Sequence, residues 1–161
     1  REWQLGTVQL DFSLPERFDM EYTAENGNRD RPVVIHRAML GSLERFLGVL
    51  IEHLSGAFPM WLAPVQAAIV PIADRHNEFC FEVGKRISEA GFRVEVNDSN
   101  DRMNAKIRQA QLQKIPYMLV AGDREVEAKS LSVRTRSGDN LDPMSIDQVI
   151  DRFTKQVADR S

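Results

Sequence analysis

Cys80 is the single cysteine among 161 residues. That excludes an internal disulfide and a cysteine-only zinc site, and it fits a reducing compartment, so a cytoplasmic protein is expected. Long apolar runs are missing too: none approaches the ~20 residues that a membrane span needs. The opening residues carry no basic n-region, no apolar h-region and no initiator Met, so secretion is not expected. No glycine-rich phosphate loop of P-loop or dinucleotide type occurs. A large charge of one sign is also lacking. The net charge of -3 gives no blanket basic surface, so any nucleic-acid interface has to be local.

What is present describes a folded protein. With 42% hydrophobic and 28% charged residues, the chain can bury a core and is not a disordered tail. Its length suits one ordinary domain, or a small domain carrying an extra segment. Charge is uneven along it. Residues 1–60 hold 6 Lys/Arg against 9 Asp/Glu, while residues 61–161 balance at 15 of each. Within that neutral half Arg102, Lys106, Arg108 and Lys114 crowd together, either as a phosphate-binding patch or as a solvated helix face.

The patterning changes midway. "LGTVQLDF" (5–12) alternates as a strand with Thr7, Gln9 and Asp11 on its polar face. A second strand is expected near 18–22, a turn at Asn26-Gly27, and a returning strand in "PVVIHR", so residues 5–37 predict an antiparallel sheet. After Gly41-Ser42, the residues Leu43, Phe46, Leu47, Leu50, Ile51 and Leu54 predict a helix with a broad apolar stripe. Three short strands are too few to cover that helix, so residues 1–60 read as the end of a larger body. "GAFPMWLAP" then marks a boundary.

Beyond it, strands and helices alternate: "VQAAIVPI", a helix over 75–90, "FRVEV", a helix over 103–113, "YMLVA" and "SLSVRTR". Ser145 to Gln148 forms a capping box opening a last helix with Ile146, Val149, Ile150, Phe153 and Val157 on its core face. This order predicts a three-layer α/β domain with a mixed, mostly parallel sheet.

Several side chains invite chemistry. His36 has no other His or Cys at ligand spacing nearby, so spacing alone favours a satisfied strand histidine over a metal ligand or base. His53 suits a helix C-terminus, and His76, in "DRHNEF", reads as a capping or solvated residue at a helix start. Cys80 falls on an apolar stripe and reads as a small buried hydrophobe, which leaves little for a hydrolase built on His76 and Cys80. Arg45 is harder to dismiss. One turn inside an apolar helix, its planar fork wants a phosphate or a purine face.

"PVVIHRAMLGSLERF" resembles motif 3 of the class II aminoacyl-tRNA synthetases, a strand followed by a helix bearing an arginine. "WQLGTVQLDFSLPERFDMEY" and "GVLIEHLSGAFPMWLAPVQ" around it are similar to the bacterial threonyl-tRNA synthetase family. "KIRQAQLQKIPYMLVAGDREVE" and "SVRTRSGDNL" resemble that family's C-terminal domain, so the resemblance runs over essentially the whole chain. It implies two parts. Residues 1–60 would be an α+β remnant of the catalytic domain, antiparallel strands plus the motif 3 helix. Residues 61–161 would be a three-layer α/β anticodon-binding domain with a mixed, mostly parallel five-stranded sheet.

The resemblance also implies roles. The parent activates threonine with ATP and Mg, then transfers it to threonine tRNA. His36 would be one of three protein ligands to zinc. A zinc ion that requires a hydroxyl ligand discriminates threonine from valine better than shape can. Arg45 would stack on adenine and meet the triphosphate of ATP, and Gln9 would line the floor of the site. Gln4, of the other parity along its strand, is a weaker candidate there. Asn100, Glu125 and Arg134 would read anticodon bases, while Arg102, Lys106, Arg108 and Lys114 would hold tRNA backbone phosphates. Where the family usually has "LRNEKIGxKIR" this chain has "DSNDRMNAKIR", losing one positive charge. Motifs 1 and 2 and the other two zinc ligands are not in these 161 residues. The parent is expected to be a homodimer, and the chain alone is expected to be inactive in aminoacylation. The alternative is a free-standing, non-catalytic nucleic-acid-binding accessory protein built on the same C-terminal fold.

Overall fold

The computed structural model describes residues 2–160. The chain divides into two compact units, Arg1–His53 and Leu54–Ser161.

In the first unit, β1 (Thr7–Asp11) pairs antiparallel with β4 (Val34–Ala38), setting Gln9 opposite His36. Between them lie a one-turn helix α1 (Ser13–Arg17) and a ribbon of β2 (Tyr22–Thr23) with β3 (Arg29–Asp30). The single antiparallel sheet expected for 5–37 is therefore two separate two-stranded ribbons. Asp11 explains the break. Its Oδ1 accepts the N–H groups of Ser13 and Leu14 at 2.9 and 3.0 Å, which bends the chain out of β1 into a helical turn. Pro15 is tolerated in that first turn, where a missing N–H costs nothing.

Helix α2 (Leu43–Leu54) follows, with Ser42 Oγ accepting the Arg45 N–H at 3.3 Å. The apolar stripe predicted for this helix is present, yet no residue of it is buried. Leu43, Leu47 and Ile51 are exposed, as are Val8, Leu10 and Ile35 on the β1–β4 ribbon.

The second unit is built on a five-stranded sheet in the order β6-β5-β7-β8-β9. Its strands are β5 (Ala67–Pro71), β6 (Val94–Val96), β7 (Tyr117–Ala121), β8 (Ser130–Thr135) and β9 (Met144–Ser145). β5 runs parallel to β6 and β7, while β8 is antiparallel to both its neighbours, so four of the five strands share one direction. β5 and β7 are buried at every position, as expected for strands covered on both faces.

Period 2 sorts their side chains into two layers. Ala67, Ile69 and Leu119 face α3 (Asn77–Glu89) and α6 (Ile146–Asp159), whose Val83, Ile87 and Phe153 complete one core. Ala68, Val70, Met118 and Val120 face Ile107 and Ala110 of α4 (Met103–Leu112) in the other. A Cβ at Gly84 of α3 would sit 3.0 Å from Val96 Cγ2, so glycine is what lets that helix lie so close to β6.

Helix α5 (Asp123–Ala128) was not visible in the sequence. Residues 56–64, which read as a boundary, belong to the second unit: Met60 is 3% exposed within its core, and Arg136 Nη1 donates to Phe58 O at 2.6 Å.

Candidate nucleic-acid interface

Along β8, Leu131 and Val133 turn into the core, and so Ser132 and Arg134 turn to the face that α4 leaves partly open. There they lie beside β7, with Ser132 opposite Val120 and Arg134 opposite Met118. A cavity of about 270 Å³ opens at this place, lined among others by Ile72, Met103, Glu125, Ser132, Arg134 and Asn140.

Glu125 and Arg134, nine residues apart in sequence, thus share one cavity, and each is prepared differently. Glu125 Oε2 accepts the Gly122 N–H at 2.9 Å, and Oε1 accepts the Ser132 hydroxyl at 2.8 Å. Burial pushes its carboxyl up, but the Ser132 and Gly122 hydrogen bonds outweigh it and hold the group below its usual range. It is an anchored anion with lone pairs to spare. Arg134 Nε, by contrast, is buried and has no hydrogen-bond partner. A buried guanidinium N–H without an acceptor costs free energy until a ligand supplies one.

The other expected residues do not gather there. Asn100 is exposed in the loop after β6 and is not among the residues lining this cavity. Arg102, Arg108 and Lys114 are exposed. Lys106 corrects the expected phosphate contact: it is 3% exposed, and its Nζ donates to Pro71 O at 3.3 Å inside the unit. A side chain turned inward cannot hold a surface phosphate.

Sequence reasoning missed a cluster next to the cavity. His76, read as a solvated cap, is buried, with Nδ1 accepting the Ala73 N–H at 3.2 Å and Nε2 lying 2.8 Å from Asp123 Oδ1. Arg75 donates to both oxygens of the same carboxylate. The partners are 47 and 48 residues apart, so no local pattern announces them.

In the first unit, Gln9, Asp11 and His36 line one open depression. His36 Nε2 lies 3.0 Å from Asp11 Oδ2, a diagonal cross-strand pair. The carboxylate's hydrogen bonds, to Leu14 N–H and then to His36, hold Asp11 below its usual range. Gln4 is exposed and contacts Thr7 Oγ1 at 3.5 Å, before β1 begins. Arg45 is exposed, because the leucines beside it are exposed as well. Among the described residues no group of three His, Cys, Asp or Glu side chains could hold a metal ion, and His36 alone does not complete a tetrahedral zinc site. Nor is any described helix long and apolar enough to cross a membrane.

Cys80 is wholly buried, and burial pushes its thiol up to about 11, so it has no nucleophilic character at neutral pH.

Comparison with known proteins agrees with this division. Residues 66–156 match the anticodon binding domain family, and residues 1–54 match the tRNA synthetase class II core domain (G, H, P, S and T). Among curated relatives, the threonine–tRNA ligase of Caldanaerobacter subterraneus is 50% identical over 161 residues, covering 100% of this chain and 25% of the relative. That of Deinococcus radiodurans is 58% identical over 139 residues, covering 86% of this chain and 21% of the relative. The chain therefore spans about a quarter of the length of these relatives.

Among solved structures, the RNA binding domain of threonyl-tRNA synthetase from Cryptosporidium parvum matches with a TM-score of 0.86 and 38% identity. That match covers 97% of this chain and 40% of the other. Prolyl-tRNA synthetase from the same organism shares the fold at a TM-score of 0.73 and 23% identity, covering 97% of this chain and 34% of the other. With its five-stranded sheet, its three layers and a family match over residues 66–156, this chain belongs to the anticodon binding domain family, preceded by a class II synthetase core segment.

Proposed function

We propose that this chain is the C-terminal part of a threonine–tRNA ligase and that its second unit reads the anticodon of threonine tRNA. The observation that carries the reading is the shared cavity of Glu125 and Arg134, with the buried Arg134 Nε lacking an acceptor. Splayed anticodon bases offer what the two side chains lack: ring and amino N–H groups for the carboxylate, carbonyl oxygens for the guanidinium. Asn100 would contact a base from its exposed loop, and Arg102, Arg108 and Lys114 would hold phosphates, which add affinity but no sequence information.

The parent reaction is ATP-dependent threonine activation followed by transfer to tRNA. Gln9 would line the floor of that site, with Gln4 at its margin, and Arg45 would take the adenine and triphosphate of Mg-ATP. His36 would be one zinc ligand, its ring oriented by Asp11. This chain spans about a quarter of its relatives' length, and by itself it is expected to perform neither step. Threonine-dependent pyrophosphate exchange by the isolated chain would contradict that.

The direct test is a titration at fixed salt of the chain against threonine tRNA and the same tRNA with its middle and third anticodon bases replaced. Preference for the native anticodon supports the reading, and equal weak binding to all would sink it.

A further inference from the structure

The exits of β5 and β7 are locked together by charged side chains that do not line the cavity. His76 is 3% exposed, and its two ring nitrogens are both engaged. Since Nδ1 accepts the Ala73 N–H, the ring proton sits on Nε2 and is donated to Asp123 Oδ1. Arg75 adds Nε to Oδ1 at 2.8 Å and Nη2 to Oδ2 at 2.6 Å, a bidentate grip on the same carboxylate. Arg75 first, then His76, hold the Asp123 carboxyl far below its usual range. His76 thus spends one ring nitrogen on a backbone N–H and the other on Asp123, whose carboxylate is held three times.

What this grip holds is the start of α5. Asp123 is the first residue of that helix, and Glu125 is two residues further on. The same two segments also meet where Ile72 N–H donates to Ala121 O at 3.0 Å, and where a Cβ on Gly122 would fall 2.7 Å from Ile72 Cδ1. A helix of six residues has little stability of its own, so its place depends on such ties. Glu125's own hydrogen bonds fix it to Gly122 and to β8, but nothing in them fixes α5 to β5. The grip of Arg75 and His76 on Asp123 does.

We propose that Arg75, His76 and Asp123 are positioning residues for anticodon specificity: a clamp that sets Glu125 at the height where it meets a base, while touching no base themselves. The proposal rests on the reading of Glu125 and Arg134 as base contacts. Its physical warrant is that recognition by hydrogen bonds needs the reading group placed to within about 0.5 Å.

The full chain would be titrated with an RNA hairpin bearing the threonine anticodon, and with the same hairpin carrying one replaced anticodon base, at one salt concentration. In Asp123→Asn and His76→Leu the ratio of the two affinities should fall roughly tenfold, the scale of one lost hydrogen bond to a charged group, while affinity for the altered hairpin stays unchanged. His76→Gln, whose amide can again donate to Asp123, should recover most of the ratio. A residue that merely stabilised the fold would not separate ratio from affinity in this way.

His76 is buried and its variants risk unfolding. Arg75→Gln is the second probe, because the Arg75 side chain is 66% exposed and its loss leaves the core intact. It should lower the ratio as well. Wild-type ratios in folded Arg75→Gln and Asp123→Asn would overturn the clamp. Glu125→Gln separates the two levels. If it collapses the ratio while the clamp variants do not, only the clamp falls; if it too keeps the ratio, the base-reading assignment falls and the clamp with it.

Discussion

Ser132 Oγ donates to Glu125 Oε1 at 2.8 Å, tying the first turn of α5 to the middle of β8. The bond joins the two elements that carry the candidate base-reading residues. It also leaves Glu125 ionised, as an acceptor for a base has to be. Removing it with Ser132→Ala should cost about 1 kcal/mol of stability, measured by chemical denaturation. The same variant should shift the Glu125 carboxyl upward, visible in a carboxylate titration by NMR.

Asp123 makes acid stability a test of the clamp. Its folded carboxyl lies well below the ordinary value of 3.8, because Arg75 and His76 favour the charged form. A depressed pKa contributes stability that is fully present above the unfolded value and is lost as pH falls toward the folded one. The thermal midpoint of the wild type should therefore drop more steeply below about pH 4 than that of Asp123→Asn. Parallel curves for the two proteins would mean that the carboxylate contributes nothing to the fold.

Lys106 and Arg108 should part company in a salt titration. Lys106 is turned inward to Pro71 O, so Lys106→Met should leave the salt dependence of RNA binding unchanged. Arg108 is exposed on the same helix, and Arg108→Gln should lower the logarithmic salt slope by about one, the signature of one lost phosphate contact.

Cys80, wholly buried with its thiol raised to about 11, should resist alkylation at neutral pH and react only when denaturant is added. Fast labelling of the folded chain would show that the α3 core is open.

Those residues also show how far the chain's pattern could be read. β5 and β7 were legible as short, continuously apolar runs, α3 by the stripe that includes Cys80 and Val83, and α6 by Ser145 and Gln148, which do form the reciprocal cap at 3.3 and 2.8 Å. α5 was not, because six residues rich in charge carry no periodicity to detect. Lys106 misled by residue type alone. It stands with Met103, Ile107 and Ala110 at i, i+3, i+4 and i+7, and that spacing puts it on the buried face.

In the first unit the apolar stripe of α2 was legible, and its Leu43, Leu47 and Ile51 are exposed in the structure. The unit's ribbons were less legible, because the turn at Asp11 depends on side-chain hydrogen bonds that alternation does not encode. Of the candidate site, the resemblance supplied Glu125 and Arg134. Their common cavity, Ser132's tether and the grip on Asp123 needed three-dimensional neighbours.

The most direct measurement is the affinity of Arg134→Gln for two RNA hairpins that differ only in one anticodon base, beside the unaltered chain at the same salt. Arg134 holds the one buried guanidinium nitrogen left without a partner among the described residues, so this variant removes the donor that awaits a base. The unaltered chain should prefer the threonine anticodon, and Arg134→Gln should bind both hairpins equally, at the affinity the unaltered chain shows for the mismatched one. A variant that keeps the full preference would contradict the claim that this cavity reads the anticodon.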